Sequence, residues 1–311
     1  MNFDIIGDTH GHGSELKALL CDLGYSRQLG GYRHPDRKVV FVGDFVDRGP
    51  AMGEVVEIAR AMVDAGGALA VMGNHEYNAI AFHTLRPGEQ NDWFRPHSDK
   101  NLKQHQATLD QLTSSELTDA IEWFKTLPVA IEIDGIRVAH ASWQTRDIDC
   151  INNALADMGR FTPEFLEASE GTGSDLNKAI ENVLKGPKLQ MPTGYSIVDK
   201  AGHRRNSVRI KWYEDGAGRT YRQHHLGSDE VPDVEIAKDD LASVDIYPHD
   251  TLPVFVGHYW LTGTPVPLAD NVACTDYSVA KGGKLVAYRW DGERVLSANK
   301  FHWVGKGDVD A

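Results

Sequence analysis

The sequence predicts an α/β fold, and three observations carry that expectation. Short apolar, β-branched runs alternate with helical segments through the first third of the chain. Each run ends at or near a glycine, as in Val39-Val40-Phe41-Val42-Gly43. Polar residues able to bind metal follow at once. Runs this short read as buried strands, and ligands gathered at strand ends are what an open α/β sheet offers at its carboxyl edge.

A chain of 311 residues can hold one large domain or two ordinary ones and can bury a core. We read residues 1–311 as a single domain, with an insertion or cap over 150–250. No apolar run approaches the length of a membrane span. The N-terminus enters a strand pattern at Phe3, Ile5 and Ile6, leaving no room for a secretory leader. Cys21, Cys150 and Cys274 are few, scattered and odd in number, which indicates neither a disulfide framework nor a zinc knuckle. A reducing cytoplasm is the expected home. The formal charge of −13 argues against loose binding along nucleic-acid backbones, but not against a small anionic substrate drawn to a local metal site.

Phe3 to Gly7 reads as the first strand, feeding Asp8-Thr9-His10-Gly11-His12. Ser14 is the expected N-cap of a helix whose face is Leu16, Leu19, Leu20 and Leu23, ended by Gly24. A loop or hairpin fills Tyr25 to Asp36. The central strand Lys38 to Val42 delivers Gly43-Asp44-Phe45-Val46-Asp47-Arg48, and a helix is expected from Pro50 to Ala65. Ala68 to Met72 is a third strand, delivering Gly73-Asn74-His75-Glu76. Thr113 with Glu116 resembles a capping box opening a helix that closes before Pro128. Val129 to Ile133 and Ile136 to Ala139 read as a hairpin ending at His140. Leu252 to Val256 delivers Gly257-His258, and a final hairpin joins Lys284–Trp290 to Arg294–Leu296 through Asp291-Gly292.

The pattern therefore delivers metal-competent residues five times: Asp8 with His10, then Asp44, Asn74, His140 and His258. Two divalent cations roughly 3.5–4 Å apart repel each other and need a shared anion. Asp44 is the bridging candidate, Asp8 and His10 can turn toward one metal, and Asn74, His140 and His258 complete the second. The mixed nitrogen and oxygen set suits manganese, iron, zinc or nickel better than calcium or magnesium, with manganese first. A hydroxide between the metals would be the nucleophile. Arg48 can grip two phosphoryl oxygens as a planar fork. His75 would be the general acid that protonates the leaving oxygen, oriented by Asp47.

These blocks, in this order and spacing, resemble the calcineurin-like metallophosphoesterase signature over residues 1–140 and 252–300. The second and third resemble the branch of phosphoprotein phosphatases and bacterial diadenosine tetraphosphatases. Residues 3–76, with His34-Pro35, also resemble the phosphatase module of bacterial polynucleotide kinase–phosphatases. The resemblance implies a two-layer β-sandwich flanked by helices, a dinuclear metal centre and the residue roles just given. Met72 stands where protein phosphatases of that branch usually have arginine, and Ala141-Ser142-Trp143 replace their glycines, which weighs against protein substrates. Tyr259 and Trp260 follow Gly257-His258, so the second histidine of the nuclease-like branches is absent. There is no phosphate-binding loop ending in Gly-Lys-Ser/Thr, hence no kinase half.

The expected activity is hydrolysis of phosphomonoesters or phosphoanhydrides, with a nucleotide such as a dinucleoside polyphosphate as one substrate class. A serine/threonine-type phosphoprotein phosphatase and a nucleic-acid-end phosphatase are the alternatives, and a non-catalytic scaffold is a third. Asp47 has a second reading as a helix cap, and Arg48 as an ion-pair partner. His12 reads as a surface residue and Glu76 as a cap or loop orienter. Arg204, Arg205, Arg209, Lys211, Trp212, Arg219, Tyr221 and Arg222 form a basic-aromatic stretch. It reads either as a solvated hairpin or as a cap that draws in an anion and stacks a base.

Overall fold

Two β-sheets pack face to face, and the first strand shows why. In β1 (Asn2–Ile6) Phe3 and Ile5 enter the apolar layer between the sheets, while Ile6 turns the other way into the layer under the helices. The central strand repeats this, with Val40 and Val42 inside the sandwich and Val39 and Phe41 beneath the helices. Both faces are covered, so the strands read as continuous apolar runs.

The computed structural model describes residues 1–28, 31–198, 204–227, 231–241 and 244–305. After β1 come α1 (Gly13–Asp22), a hairpin of β2 (Ser26–Gln28) and β3 (Gly31–Arg33), β4 (Arg37–Phe41), α2 (Met52–Asp64), β5 (Ala68–Ala70) and α3 (Asn74–His83). Helices α4 (Asp99–Gln111) and α5 (Ser114–Phe124) precede the hairpin β6 (Ala130–Ile133) and β7 (Ile136–Ala139). Helices α6 (Thr145–Met158), α7 (Pro163–Glu170) and α8 (Asp175–Lys185) follow. Short elements come next: β8 (Lys188–Gln190), β9 (Ile197–Val198), β10 (Arg204–Arg205), β11 (Ser207–Arg209), α9 (Tyr221–His224) and α10 (Lys238–Leu241). The chain closes with β12 (Val254–Val256), β13 (Val272–Cys274), β14 (Asp276–Tyr277), β15 (Lys284–Trp290) and β16 (Phe301–Gly305).

One sheet runs β14-β15-β1-β4-β5, with β16 on β15, and the other runs β13-β12-β7-β6. β1, β4 and β5 are parallel, as are β7, β12 and β13. Their carboxyl ends therefore open onto loops at one edge of the sandwich. This is the two-layer, helix-flanked architecture that the resemblance implied. No helix among the described residues is long and apolar enough to cross a membrane.

On the outer face of β1, fully buried Asp4 is held by Arg37 at 3.0 Å, Arg289 at 3.1 Å and the Tyr25 hydroxyl at 3.0 Å. A buried carboxylate survives there because three donors satisfy it.

Several local expectations change. The N-cap position of α1 is His12, not Ser14, which lies inside the first turn. Helix α2 starts at Met52, with Pro50 still in the loop. Arg294–Leu296 is not a strand; β15 pairs instead with β16, Tyr288 opposite Phe301, because Phe301 packs between the sheets. In the basic-aromatic stretch Arg204–Arg205 pairs with β9 and Ser207–Arg209 with β8. Trp212 and Tyr221 are buried, and the Trp212 indole donates to the Tyr259 hydroxyl at 3.0 Å, so these two rings are not stacking platforms for a base. Helices α6, α7 and α8 contribute Ile151, Phe165 and Val183 to the main core. Leu189, Val208 and Tyr221 belong to a small apolar cluster of their own. Residues 199–203, 228–230 and 242–243 of the 150–250 segment lie outside the described residues.

Candidate metal centre

Five loops meet at the shared edge. β1 delivers Asp8 and His10, β4 Asp44, β5 Asn74, β7 His140 and β12 His258, and all six side chains are buried. The close approach depends on missing side chains. A Cβ on Gly43 would lie 2.4 Å from the Gly73 nitrogen, and one on Gly257 would lie 2.0 Å from Asp8 Oδ1. His10, Asp44, Asp47, Arg48, His258 and Trp260 all have positive φ, six of the nine such non-glycine residues described. Backbone strain concentrated this way is typical of functional sites.

Asp44 sits at the centre. Its Oδ1 lies 3.4 Å from His140 Nε2, and its Oδ2 lies 3.6 Å from His10 Nε2 and 3.9 Å from His75 Nε2. Two groups able to hold a cation share it: His10, Asp44 and His75, and Asp44, His140 and His258. Nδ1 of His10 donates to the Val46 carbonyl at 2.9 Å and Nδ1 of His140 to the Val42 carbonyl at 2.8 Å. Those bonds fix both rings with Nε2 toward the site. Asn74 Oδ1 lies 3.1 Å from His140 Nε2 and 2.7 Å from His258 Nδ1. Asp8 Oδ2 accepts from the His258 backbone N–H at 3.0 Å, tying one sheet to the other.

Three buried atoms at this centre have no hydrogen-bond partner among the described residues: Asp8 Oδ1, His10 Nε2 and His258 Nε2. A buried orphan acceptor costs free energy unless something else satisfies it. Carboxylate, amide and imidazole donors around a shared aspartate fit two divalent cations of the borderline transition series. The first group contains His75, where the sequence reading placed Asp8. His75 Nδ1 is bound to Asp47 Oδ2, leaving only Nε2 facing Asp44.

The electrostatics follow from burial and crowding. Desolvation, with Asp276 and Asp44 nearby, raises the Asp8 pKa well above its usual range. Burial would raise Asp44 too, but His140, His75 and His10 outweigh it and hold the carboxyl well below its ordinary value. Desolvation and the neighbouring His75 lower His10 to about 3, and desolvation also moves His258 well below its ordinary value. His75 moves upward, because Asp44 and Asp47 overcome the burial penalty. Burial pushes Glu76 to about 7, although it accepts from the N–H groups of Gly73, Asp44 and Phe45 at 2.8–3.0 Å. Glu76 thus pins the second loop to the third. His12 points away and lies 3.5 Å from Glu15.

Asp47 does not cap α2. One of its oxygens meets His75 and the other accepts from Thr108 Oγ1 and His105 Nδ1, both at 2.7 Å, on α4. Arg48 is exposed, its guanidinium 4.5 Å from the centroid of the Trp260 ring, and it pairs with no carboxylate among the described residues. Sequence reasoning passes over His105, Thr108 and Trp260 as functional candidates. The only signal for the first two is an i, i+3 polar pair on one helix face.

The calcineurin-like phosphoesterase family model matches residues 1–258. The chain belongs to that family and is a metallophosphoesterase, a hydrolase whose centre in this family is dinuclear and divalent. Among curated relatives, it is 50% identical over 76 residues to the asymmetrical bis(5'-nucleosyl)-tetraphosphatase PrpE of Halalkalibacterium halodurans. It is 49% identical over 76 residues to the PrpE of Geobacillus thermodenitrificans. Each match spans 24% of this chain and 31% of the relative, so the chain covers under a third of the relatives' length. A serine/threonine phosphatase of Saccharomyces cerevisiae, itself similar to human PP5, superposes with a TM-score of 0.52 at 14% identity. That alignment covers 100% of this chain and 81% of that one, and it concerns the fold alone.

Proposed function

We propose that this protein hydrolyses a phosphoanhydride bond in a dinucleoside polyphosphate or a related nucleotide, using two divalent cations, manganese first among them. The observation that carries the reading is Asp44, shared by two buried donor groups beside three orphaned ligand-type atoms. The nucleotide class is supported by the stretch shared with the PrpE tetraphosphatases.

In this reading Asp8, His10 and Asp44 hold one cation, and Asp44, Asn74, His140 and His258 the other. When bound, the pair supplies Lewis acidity to the phosphoryl oxygens and lowers the pKa of water for attack near neutral pH. The rest falls to side chains. Arg48 is exposed at the rim of the site and neutralises two phosphoryl oxygens with its fork. His75 gives the proton on Nε2 to the leaving oxygen, while Asp47 accepts from Nδ1 and stabilises the charged ring.

Residues 1–311 act as one domain in this proposal, with 150–250 as its inserted segment. A cytoplasmic home fits the three free cysteines. The test is a panel of diadenosine tetraphosphate, a phosphopeptide and a 3′-phosphorylated oligonucleotide, with manganese titrated into metal-free protein. Preference for the dinucleotide is expected. Preference for either other substrate would move the assignment, and a flat metal response on all three would leave a scaffold.

A further inference from the structure

Helix α3 begins at the metal centre and runs on to a cleft. Its first turn carries Asn74 and His75. Asn74, Tyr77, Asn78 and Ala81 follow one another at i, i+3, i+4 and i+7, so they share one face of the helix. The last three line an open cleft of about 270 Å³. At about 1.5 Å of rise per residue, the cleft starts about 3 Å beyond His75 along the axis and continues to about 9 Å.

The remaining walls come from distant parts of the chain. The segment after α3 brings Phe94 and Arg95, while α7 and α8 of the 150–250 segment bring Leu166, Ser169 and Ile180. Phe94, Leu166 and Ile180 are buried and give the cleft an apolar floor. The Tyr77 hydroxyl and Ser169 Oγ share a hydrogen bond at 2.6 Å, which joins α3 to α7. Two carboxylates line the cleft, and both are neutralised: Glu170 pairs with Arg86, and Glu181 with Lys185 and Lys188.

Arg95 is the charged group without an ionic partner. Its backbone N–H donates to the Ala81 carbonyl at 3.0 Å. Its Nη1 donates to Asn78 Oδ1 at 2.8 Å and its Nη2 to Gln104 Oε1 at 3.0 Å. Those two acceptors are neutral amides, they leave other N–H donors of the guanidinium for a ligand, and no carboxylate pairs with it among the described residues. Burial lowers its pKa, against the opposing charge of Asp47. A half-buried cation held by neutral oxygens costs free energy that an arriving anion offsets. On their other side Asn78 and Arg95 border a small space also lined by Asp47 and His105, so the cleft backs onto the carboxylate that holds His75.

A leaving group that takes its proton from His75 starts at that ring, and the shared face of α3 leads from there into the cleft. Along it stand a cation, amide groups and two aromatic rings over an apolar floor. That order matches a phosphoryl group, a ribose and a flat base. The volume lies near the lower end of small-molecule sites, enough for one nucleoside.

We propose that this cleft seats the nucleoside of the leaving nucleotide, with Arg95 taking its phosphoryl oxygens and the base packing beside Tyr77 and Phe94. The cleft rests on the phosphoesterase reading and deepens it, because α7 and α8 then supply the wall that selects nucleotides.

The experiment uses manganese-loaded protein and two variants, Arg95→Gln and Ala81→Leu, the second of which fills the cleft. Turnover is compared on diadenosine tetraphosphate and on inorganic tripolyphosphate, which has the anhydride and no nucleoside. Both variants lower kcat/KM for the dinucleotide about tenfold more than for tripolyphosphate. Calorimetric titration with adenosine 5′-monophosphate and with ribose 5-phosphate reads the cleft without turnover. The parent binds the first about tenfold more tightly, and Ala81→Leu loses that preference. Should Ala81→Leu fail to fold, the parent's preference and the turnover ratio of Arg95→Gln decide. Equal binding of the two phosphates by the parent, a preference kept in folded Ala81→Leu, or equal losses on both anhydrides would overturn the cleft and leave the phosphoesterase reading in place. Absence of turnover on every substrate, with the preference present in the parent and lost in the variant, would instead remove the phosphoesterase reading and leave a nucleotide-binding cleft.

Discussion

His105 Nδ1 lies 2.7 Å from Asp47 Oδ1, while the other oxygen of the same carboxylate meets His75 Nδ1. Helix α4 therefore reaches into the site through a residue that touches neither a proposed metal ligand nor the reacting atoms. If Asp47 must be held still to orient His75, loosening it should matter most where a leaving group needs its proton. His105→Ala is expected to slow hydrolysis of phenyl phosphate by about 10–10²-fold, and 2,4-dinitrophenyl phosphate, whose leaving group needs no proton, far less. Equal slowing of the two esters would reduce His105 to a packing residue. His83 Nε2, 3.1 Å from His105 Nε2, continues the chain of imidazoles toward a half-buried position.

His75 has two possible duties, because its Nε2 also faces Asp44 Oδ2 at 3.9 Å. As a general acid, it should cost about 10²–10⁴-fold in kcat when replaced by Asn, with two cations still bound per chain. Elemental analysis of His75→Asn separates the roles; loss of one cation would make it a ligand.

Asp8, Asp44, Glu76 and Asp276 are buried in one neighbourhood, and Asp44 raises the pKa of each of the other three. Removing cations from such a cluster leaves uncompensated charge. Treatment with a chelator should lower Tm, and added manganese should restore it in a concentration-dependent way. Asp44→Asn should bind neither cation and should be insensitive to the chelator. Calorimetry with and without metal checks both.

Asp47 gives a pH dependence of known sign. Burial raises its pKa, but hydrogen bonds from His105 and His75 prevail and hold the carboxyl well below the ordinary 3.8. A depressed folded-state pKa contributes stability that is complete above the unfolded value and is lost as pH falls through the folded one. The stability gap between the parent and Asp47→Asn, from urea midpoints, should be widest above about pH 4 and should narrow on acidification. A gap that widened in acid would contradict the hydrogen-bond assignment.

Asp4 tests the fold apart from the chemistry. Replacing it by Ala removes the acceptor shared by Arg37 Nε, Arg289 Nε and the Tyr25 hydroxyl, while Arg37 keeps Asp291 and the Phe3 and Trp290 carbonyls. A loss of about 1–3 kcal/mol in unfolding free energy is expected. Double replacement with Arg37→Met should recover part of it.

The candidate metal centre was legible because each proposed ligand sits within a few residues of the strand that delivers it, so a local pattern carries the meeting of six side chains. The Thr113–Glu116 cap was legible for the same reason, and its reciprocal bonds form. Features set by distant packing were not. His105 is 58 residues from Asp47 in sequence, and nothing local marks it. The Asp291-Gly292 signal is real, yet burial of Phe301 decides which segment pairs with β15. Helix α6 buries only Ile148, Ile151 and Leu155 among acids and amides, a face too thin to stand out.

The left-handed backbone at His10, Asp44, Asp47, Arg48, His258 and Trp260 constrains what descendants of this chain can become. Glycine would relax any of these positions, yet each such change deletes a proposed ligand, the proposed orienting carboxylate, the Arg48 guanidinium or the Trp260 ring beneath it. Easing the fold and keeping the site pull in opposite directions at six places. A lineage released from its catalytic duty should therefore drift toward glycine there first, and such drift would mark retired paralogues before any assay did.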